Sequence, residues 1–229
     1  VQVFGLWFGF IEDFERERMM LQLQSEMADN ARLHREIAWT LIGEGQLKDA
    51  RREAWIGLRG MQRNSIVNFQ VAYIALQTHQ GLNDVLDHYR SQWPGLFEDP
   101  PKLDSIPGKL VIGTALIHRE QEDEARALQL LDLLREQVTD PFATTAMALA
   151  HLGESDAAIN ALIDHINKGG YFNYLPGNPF WAPLAEETRF MSIVEDHHRE
   201  ATEYRAQVQA LLESDRLVLP GQLEFPDSF

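Results

Sequence analysis

The chain of 229 residues contains no cysteine. Thiol catalysis, structural disulfides and cysteine-ligated zinc are therefore excluded. Basic residues are scarce as well: 20 lysines and arginines stand against 35 aspartates and glutamates, for a formal net charge of −15. A surface so acidic repels phosphate backbones, and nucleic acid is not an expected partner. Long hydrophobic runs are missing. The most apolar stretch, VQVFGLWFGF at the start, would extend about 15 Å as a helix, half of a bilayer core. Strand signals are poor too, with little β-branched alternation and no Asn-Gly or Asp-Gly hairpin turn between apolar runs. No phosphate-binding GxxxxGK loop, GxSxG elbow, HExxH pair or zinc-deaminase pattern occurs. Nothing in the sequence nominates a catalytic residue or a cofactor.

Helical patterning is what remains. Apolar content of 45% and charged content of 24% are those of a folded globular protein. Apolar residues recur at three- and four-residue spacing, as in Leu33, Ile37 and Leu41 or Leu128, Leu131 and Leu134, which predicts an all-α chain. Two segments also align with each other. REIAWTLIGEGQLKDARREAWIGL places Ala38, Leu41, Gly45 and Ala50 at the spacing at which TTAMALAHLGESDAAINALI places Ala146, Leu149, Gly153 and Ala158. A third copy is read with Gly113, Leu116, Glu120 and Ala125, and a weaker one in NFQVAYIALQTHQGLNDVLDHY with its turn near Gln80 and Gly81. Small residues let two helices approach closely, and a glycine between them ends the first by taking a left-handed conformation. Each copy is thus a helix-turn-helix pair. WPGLFEDPPKLDSIPG, with four prolines, reads as an ordered loop or a break between copies.

This pattern resembles the tetratricopeptide repeat (TPR), a helix pair that stacks into a solenoid with a period of about 34 residues. The resemblance implies a TPR-like α-solenoid of antiparallel helix pairs over residues 30–170, about four repeats with the second degenerate. Residues 1–29 then form an N-terminal amphipathic helix, and residues 171–229 a capping segment, closing helix and extended tail. Asn178, Pro179, Trp181, Arg189 and Phe190 look like the segment that follows terminal repeats in bacterial membrane-anchored regulators. A closing helix is expected over Glu187–Leu212.

The resemblance implies a non-catalytic protein- or peptide-binding module, the sensing or assembly part of a larger bacterial regulatory protein. Taking Ala38, Tyr73, Gly113 and Ala146 as equivalent, the first helices would line a groove with Arg32, Arg35, Trp39, Gln70, Ile74, Gln77, Thr114, His118, Met147 and His151. Arginine forks suit peptide carboxylates, and an indole suits an apolar side chain. His118 and His151, 33 residues apart, would stack at one repeat position and respond to pH.

The contrasting reading is a helical enzyme or metal-binding bundle. Its best pair is Glu195 with His198, an ExxH spacing on one helix face; di-iron bundles need two such pairs and two more carboxylates. Asp84 with His88 reads as a surface pair.

Phe4, Trp7, Phe8, Ile11 and Phe14 fall at helical spacing. They suit a cover over the first repeat, the end of a membrane tether, or a contact between two copies. Val1 in place of methionine reads as a piece or a processed form. The alternatives for compartment are a membrane-associated, periplasm-facing position and the cytoplasm.

Overall fold

A computed structural model describes residues 31–135, 143–170, 172 and 177–214, and every regular element among them is helical. The readings on the N-terminal apolar segment and on the extended tail fall outside the described residues. The helices are α1 (Ala31–Gly43), α2 (Leu47–Gly60), α3 (Ser65–Thr78), α4 (Leu82–Gln92), α5 (Gly108–Glu120), α6 (Glu124–Arg135), α7 (Thr144–His151), α8 (Ser155–Asn167) and α9 (Thr188–Glu213). Two 3-10 turns, Pro94–Phe97 and Ala182–Leu184, precede α5 and α9. The described residues divide into two compact units: Leu58–Ile193, and a second that holds those up to Gly57 and those from Val194.

One turn geometry joins the two helices of each of four pairs, and it closes α8 as well, where the Gly170 amide reaches the His165 carbonyl after Gly169 at φ 78°. The amide of Gln46 reaches back to the carbonyl of Leu41, Gln80 to Ala75, Asp123 to His118 and Glu154 to Leu149, each five residues back. The residue before each donor is left-handed: Gly45 (φ 72°), His79 (φ 52°), Glu122 (φ 64°) and Gly153 (φ 82°). This is the Schellman motif, which satisfies the carbonyls left over at a helix end. Counting back seven residues from each left-handed position gives Ala38, Ala72, Ala115 and Ala146, all buried. The residue whose amide bonds back four positions at the start of each second helix is Ala50, Val85, Ala127 or Ala158, again all buried.

Two of the four copies therefore stand in a different register from the one the sequence suggests. In the third copy the turn residue is Glu122 and the small residues are Ala115 and Ala127, two positions later; Ala125 is exposed. In the second copy the small residue is Ala72, not Tyr73. Without glycine at the turn the third copy has no local mark of its register. Glu122 meets the φ requirement under strain that glycine would not carry. Glu122→Gly is expected to raise stability by about 0.5–1 kcal/mol, read as a higher urea midpoint. An unchanged or lower midpoint would count against the shared turn geometry.

Within Leu58–Ile193, α5 packs on both α3 and α6, α7 on α5, α6 and α8, and α4 on α3 and α5. Successive turns are also joined: His79 Nδ1 meets Glu120 Oε2 at 2.9 Å, Gln121 Nε2 donates to Asn83 Oδ1 at 2.6 Å, and Arg119 donates to the carbonyl of His151 at 3.2 Å. The helices α4, α6 and α8 bury one stripe each, such as Ala127, Leu130, Leu131 and Leu134 of α6. By contrast α3 is buried at every position from Val67 to Leu76, and α5 at every position from Leu110 to Ile117. A helix apolar all round must be covered on all sides. Asn68 of α3 takes the hydroxyl of Tyr89 from α4 on its carbonyl at 2.6 Å. Ala72 meets α5 at Gly113, where a Cβ would lie only 3.1 Å from the alanine methyl.

Asn64 starts α3, its side chain accepting from the amides of Ile66 and Val67 at 3.0 and 3.1 Å. Asn64→Ala is expected to cost about 1 kcal/mol, and Asn64→Asp or Asn64→Ser much less, measured by urea unfolding. The proline-rich segment before α5 is ordered. Leu96 is fully buried, and the Arg126 guanidinium donates to the carbonyls of Leu96 and Glu98.

Candidate functional site

Two residues expected on a groove, Gln77 and His151, lie against a segment of the chain itself. Phe180 is fully buried, with its ring 4.4 Å from that of Phe69 and 6.2 Å from that of Tyr73, both on α3. The side chain of Asn178 accepts from the Phe180 amide at 3.0 Å, which bends the segment into a tight turn. At its near end Gly177 passes so close to α3 that a Cβ would lie 2.9 Å from Gln77 Nε2. With φ at +75°, glycine suits that point on two counts. At its far end Trp181 joins Phe172 and Phe190 in an aromatic cluster, with ring separations of 5.8 and 5.5 Å from Trp181. Phe190 belongs to the first turn of α9, and its neighbour Arg189 reaches Asp156 and Asn160 of α8 at 2.8 and 2.9 Å.

His151 holds the segment by its backbone. Its Nε2 lies 3.2 Å from the Pro179 carbonyl, and its Nδ1 lies 3.3 Å from Nη1 of Arg119. A carbonyl can only accept and a guanidinium can only donate. The ring is therefore neutral, with its proton on Nε2 and its lone pair on Nδ1 turned to Arg119. Burial, then the Arg119 charge, lower the His151 pKa from 6.5 to about 4 against the opposing hydrogen bond to Pro179. Arg119 is in turn steered by Glu124, which accepts from its Nε and Nη2 at 2.9 and 2.7 Å.

Of the residues expected on the groove, the structure brings Gln77 and His151 to this segment. Met147, Gln70, Ile74 and Thr114 are interior, and the Thr114 hydroxyl donates to the Leu110 carbonyl at 2.7 Å. His118 does not share the position of His151. It stands four residues before its left-handed turn residue, while His151 stands two before Gly153. Its Nδ1 instead meets Asp123 at 3.1 Å, and burial lowers its pKa despite that carboxylate.

Arg32, Arg35 and Trp39 lie in the other unit. There Arg35 is largely buried and paired with Glu36, with its pKa lowered by burial and then by Arg32, while Arg32 itself is exposed. His34 bonds Glu53 at 2.7 Å. Arg35 thus serves an internal ion pair, not an outward fork. Glu195 lies exposed beside a half-buried His198 on α9. Among the described residues no three histidine, aspartate or glutamate side chains gather as a metal site would require.

The residues that hold the segment and were not read from the sequence are Phe69, Tyr73 and Arg119. Their signal was the all-round apolarity of SIVNFQVAYIALQT, which calls for cover on more sides than one neighbouring helix supplies. No protein-family model, curated protein or solved structure matches the chain significantly.

Proposed function

We propose that the chain is a non-catalytic peptide-binding module, built of TPR-like helix pairs stacked as an α-solenoid. The recurring turn, the alanine at one position of all four first helices and the turn-to-turn hydrogen bonds support the stacked arrangement. Short pairs of this kind bury their apolar faces only by stacking, and the surface so formed suits extended ligands.

One observation carries the binding role. Helix side chains grip a non-helical segment through a backbone carbonyl, at His151, and an aromatic anchor, at Phe69 and Tyr73. A carbonyl contact is indifferent to side-chain identity, whereas an aromatic slot selects one. That combination is how folded domains read extended peptides. A role as the sensing or assembly part of a larger regulatory protein is consistent with such a module.

The test is to pan a random twelve-residue peptide library on the native chain and on Phe180→Leu, with an unrelated helical protein as control. Enrichment of peptides that share an aromatic residue is expected. Enrichment no greater than on the control, for both chains, would end the reading.

A further inference from the structure

We propose that Gly177–Leu184 is a built-in competitor that occupies the peptide-binding face, and that the ligand it excludes is an extended peptide carrying proline followed by an aromatic residue. The inference rests on the peptide-binding reading above and adds to it the ligand's class and its control.

The chain displays the expected chemistry of the ligand. Pro179 presents its carbonyl to His151 Nε2, and the residue after it inserts its ring against Phe69 and Tyr73. Proline has no amide hydrogen to satisfy and holds its own φ near −65°. It thus offers a carbonyl from a backbone that loses little freedom on docking. The internal hydrogen bonds of the segment are local. The Phe180 amide goes to Asn178 Oδ1, the Trp181 amide to the Asn178 carbonyl and the Leu184 amide to the Trp181 carbonyl. His151 holds the segment to the helices at the Pro179 carbonyl, a bond that a segment of like sequence from outside can replace. A tethered segment competes at an effective concentration of about millimolar, set by its linker. Free peptide near that concentration is therefore expected to displace it.

The probe is a fluorescein-labelled octapeptide with the sequence of residues 177–184, GNPFWAPL, and its control GNPAWAPL. Binding is read by fluorescence anisotropy on the native chain, Phe180→Ala and Phe180→Leu. Apparent affinity scales with the fraction of chains whose face is open, so the variants should bind GNPFWAPL at least about tenfold more tightly than the native chain. GNPAWAPL should bind none of them.

On the native chain, GNPFWAPL at about millimolar concentration should also speed hydrogen exchange at the Phe180, Trp181 and Leu184 amides, the range in which it matches the tether. A variant with native helical circular dichroism that binds GNPFWAPL no better than the native chain overturns the proposal. Unchanged exchange at those three amides also overturns it, and decides the matter alone if neither variant folds. Library peptides that bind native chain and variants equally well would leave peptide binding standing and remove the competitor. Library peptides that bind none of the chains would remove peptide binding itself.

Discussion

Phe180→Ala is expected to lower the stability of the chain by about 3–5 kcal/mol, the usual cost of emptying a well-packed aromatic site. Phe180 is completely shielded, and its ring rests on those of Phe69 and Tyr73. Alanine would forfeit both the transfer of the ring out of water and the ring–ring contacts, because α3 is fixed by α4 and α5 and cannot collapse into the gap. Phe180→Leu should lose less, since it fills part of the volume. The measurement is urea unfolding followed by tryptophan fluorescence; Trp181, adjacent and buried, reports on the same region. A loss below about 1 kcal/mol for alanine would mean that the segment is not held as described.

Acidification is expected to weaken the fold between pH 6.5 and about 4, with His151 as the largest identified contributor. The sign follows from which state takes the proton first. Above pH 6.5 His151 is neutral in both folded and unfolded chains, and the native arrangement has its full stability. Below 6.5 the unfolded chain binds a proton that the folded chain refuses until about pH 4, so stability falls through that window and levels beneath it. The span from 6.5 to about 4 corresponds to about 3 kcal/mol.

In the folded state the added proton would sit on Nδ1, against the Arg119 guanidinium. His88 and His118, lowered chiefly by burial, act in the same direction. His151→Gln keeps an amide donor for the Pro179 carbonyl and cannot take the proton. Its stability should fall less steeply over the window than that of the native chain, in urea midpoints taken at half-unit pH steps. Equal slopes for the two chains would refute the assignment.

Much of the helical order was legible from spacing. The closing helix read over Glu187–Leu212 spans Thr188–Glu213, and the turns at Gly45 and Gly153 lie where their glycines stand. Glycine is legible because the left-handed conformation excludes most other residues. Where Glu122 adopts it instead, nothing local marks the turn, and the register slips by two; at His79 the neighbouring Gly81 marks the turn, and the slip is one. The slip of two put His118 onto the position of His151; Thr114 and Met147 are interior for another reason, since the position after the small residue is buried even in the fourth copy, whose register is as read. Arg35 was read as an outward fork for a different reason: that Glu36 follows it is plain, but spacing along a helix does not say that the two side chains are buried together as a pair.

The sequence by itself determined the all-α class, the pairing of helices across short turns, the exclusion of cysteine chemistry and the acidic surface. These depend on local conformational preference and on composition, which need no knowledge of distant neighbours. Only the tertiary structure decided that Asn178–Trp181 returns to lie on α3 and His151. Phe69 and Phe180 are 111 residues apart, and no periodicity relates them. Their contact goes with the burial of α3 at every position from Val67 to Leu76: a helix so predominantly apolar must be covered on more sides than one neighbour supplies.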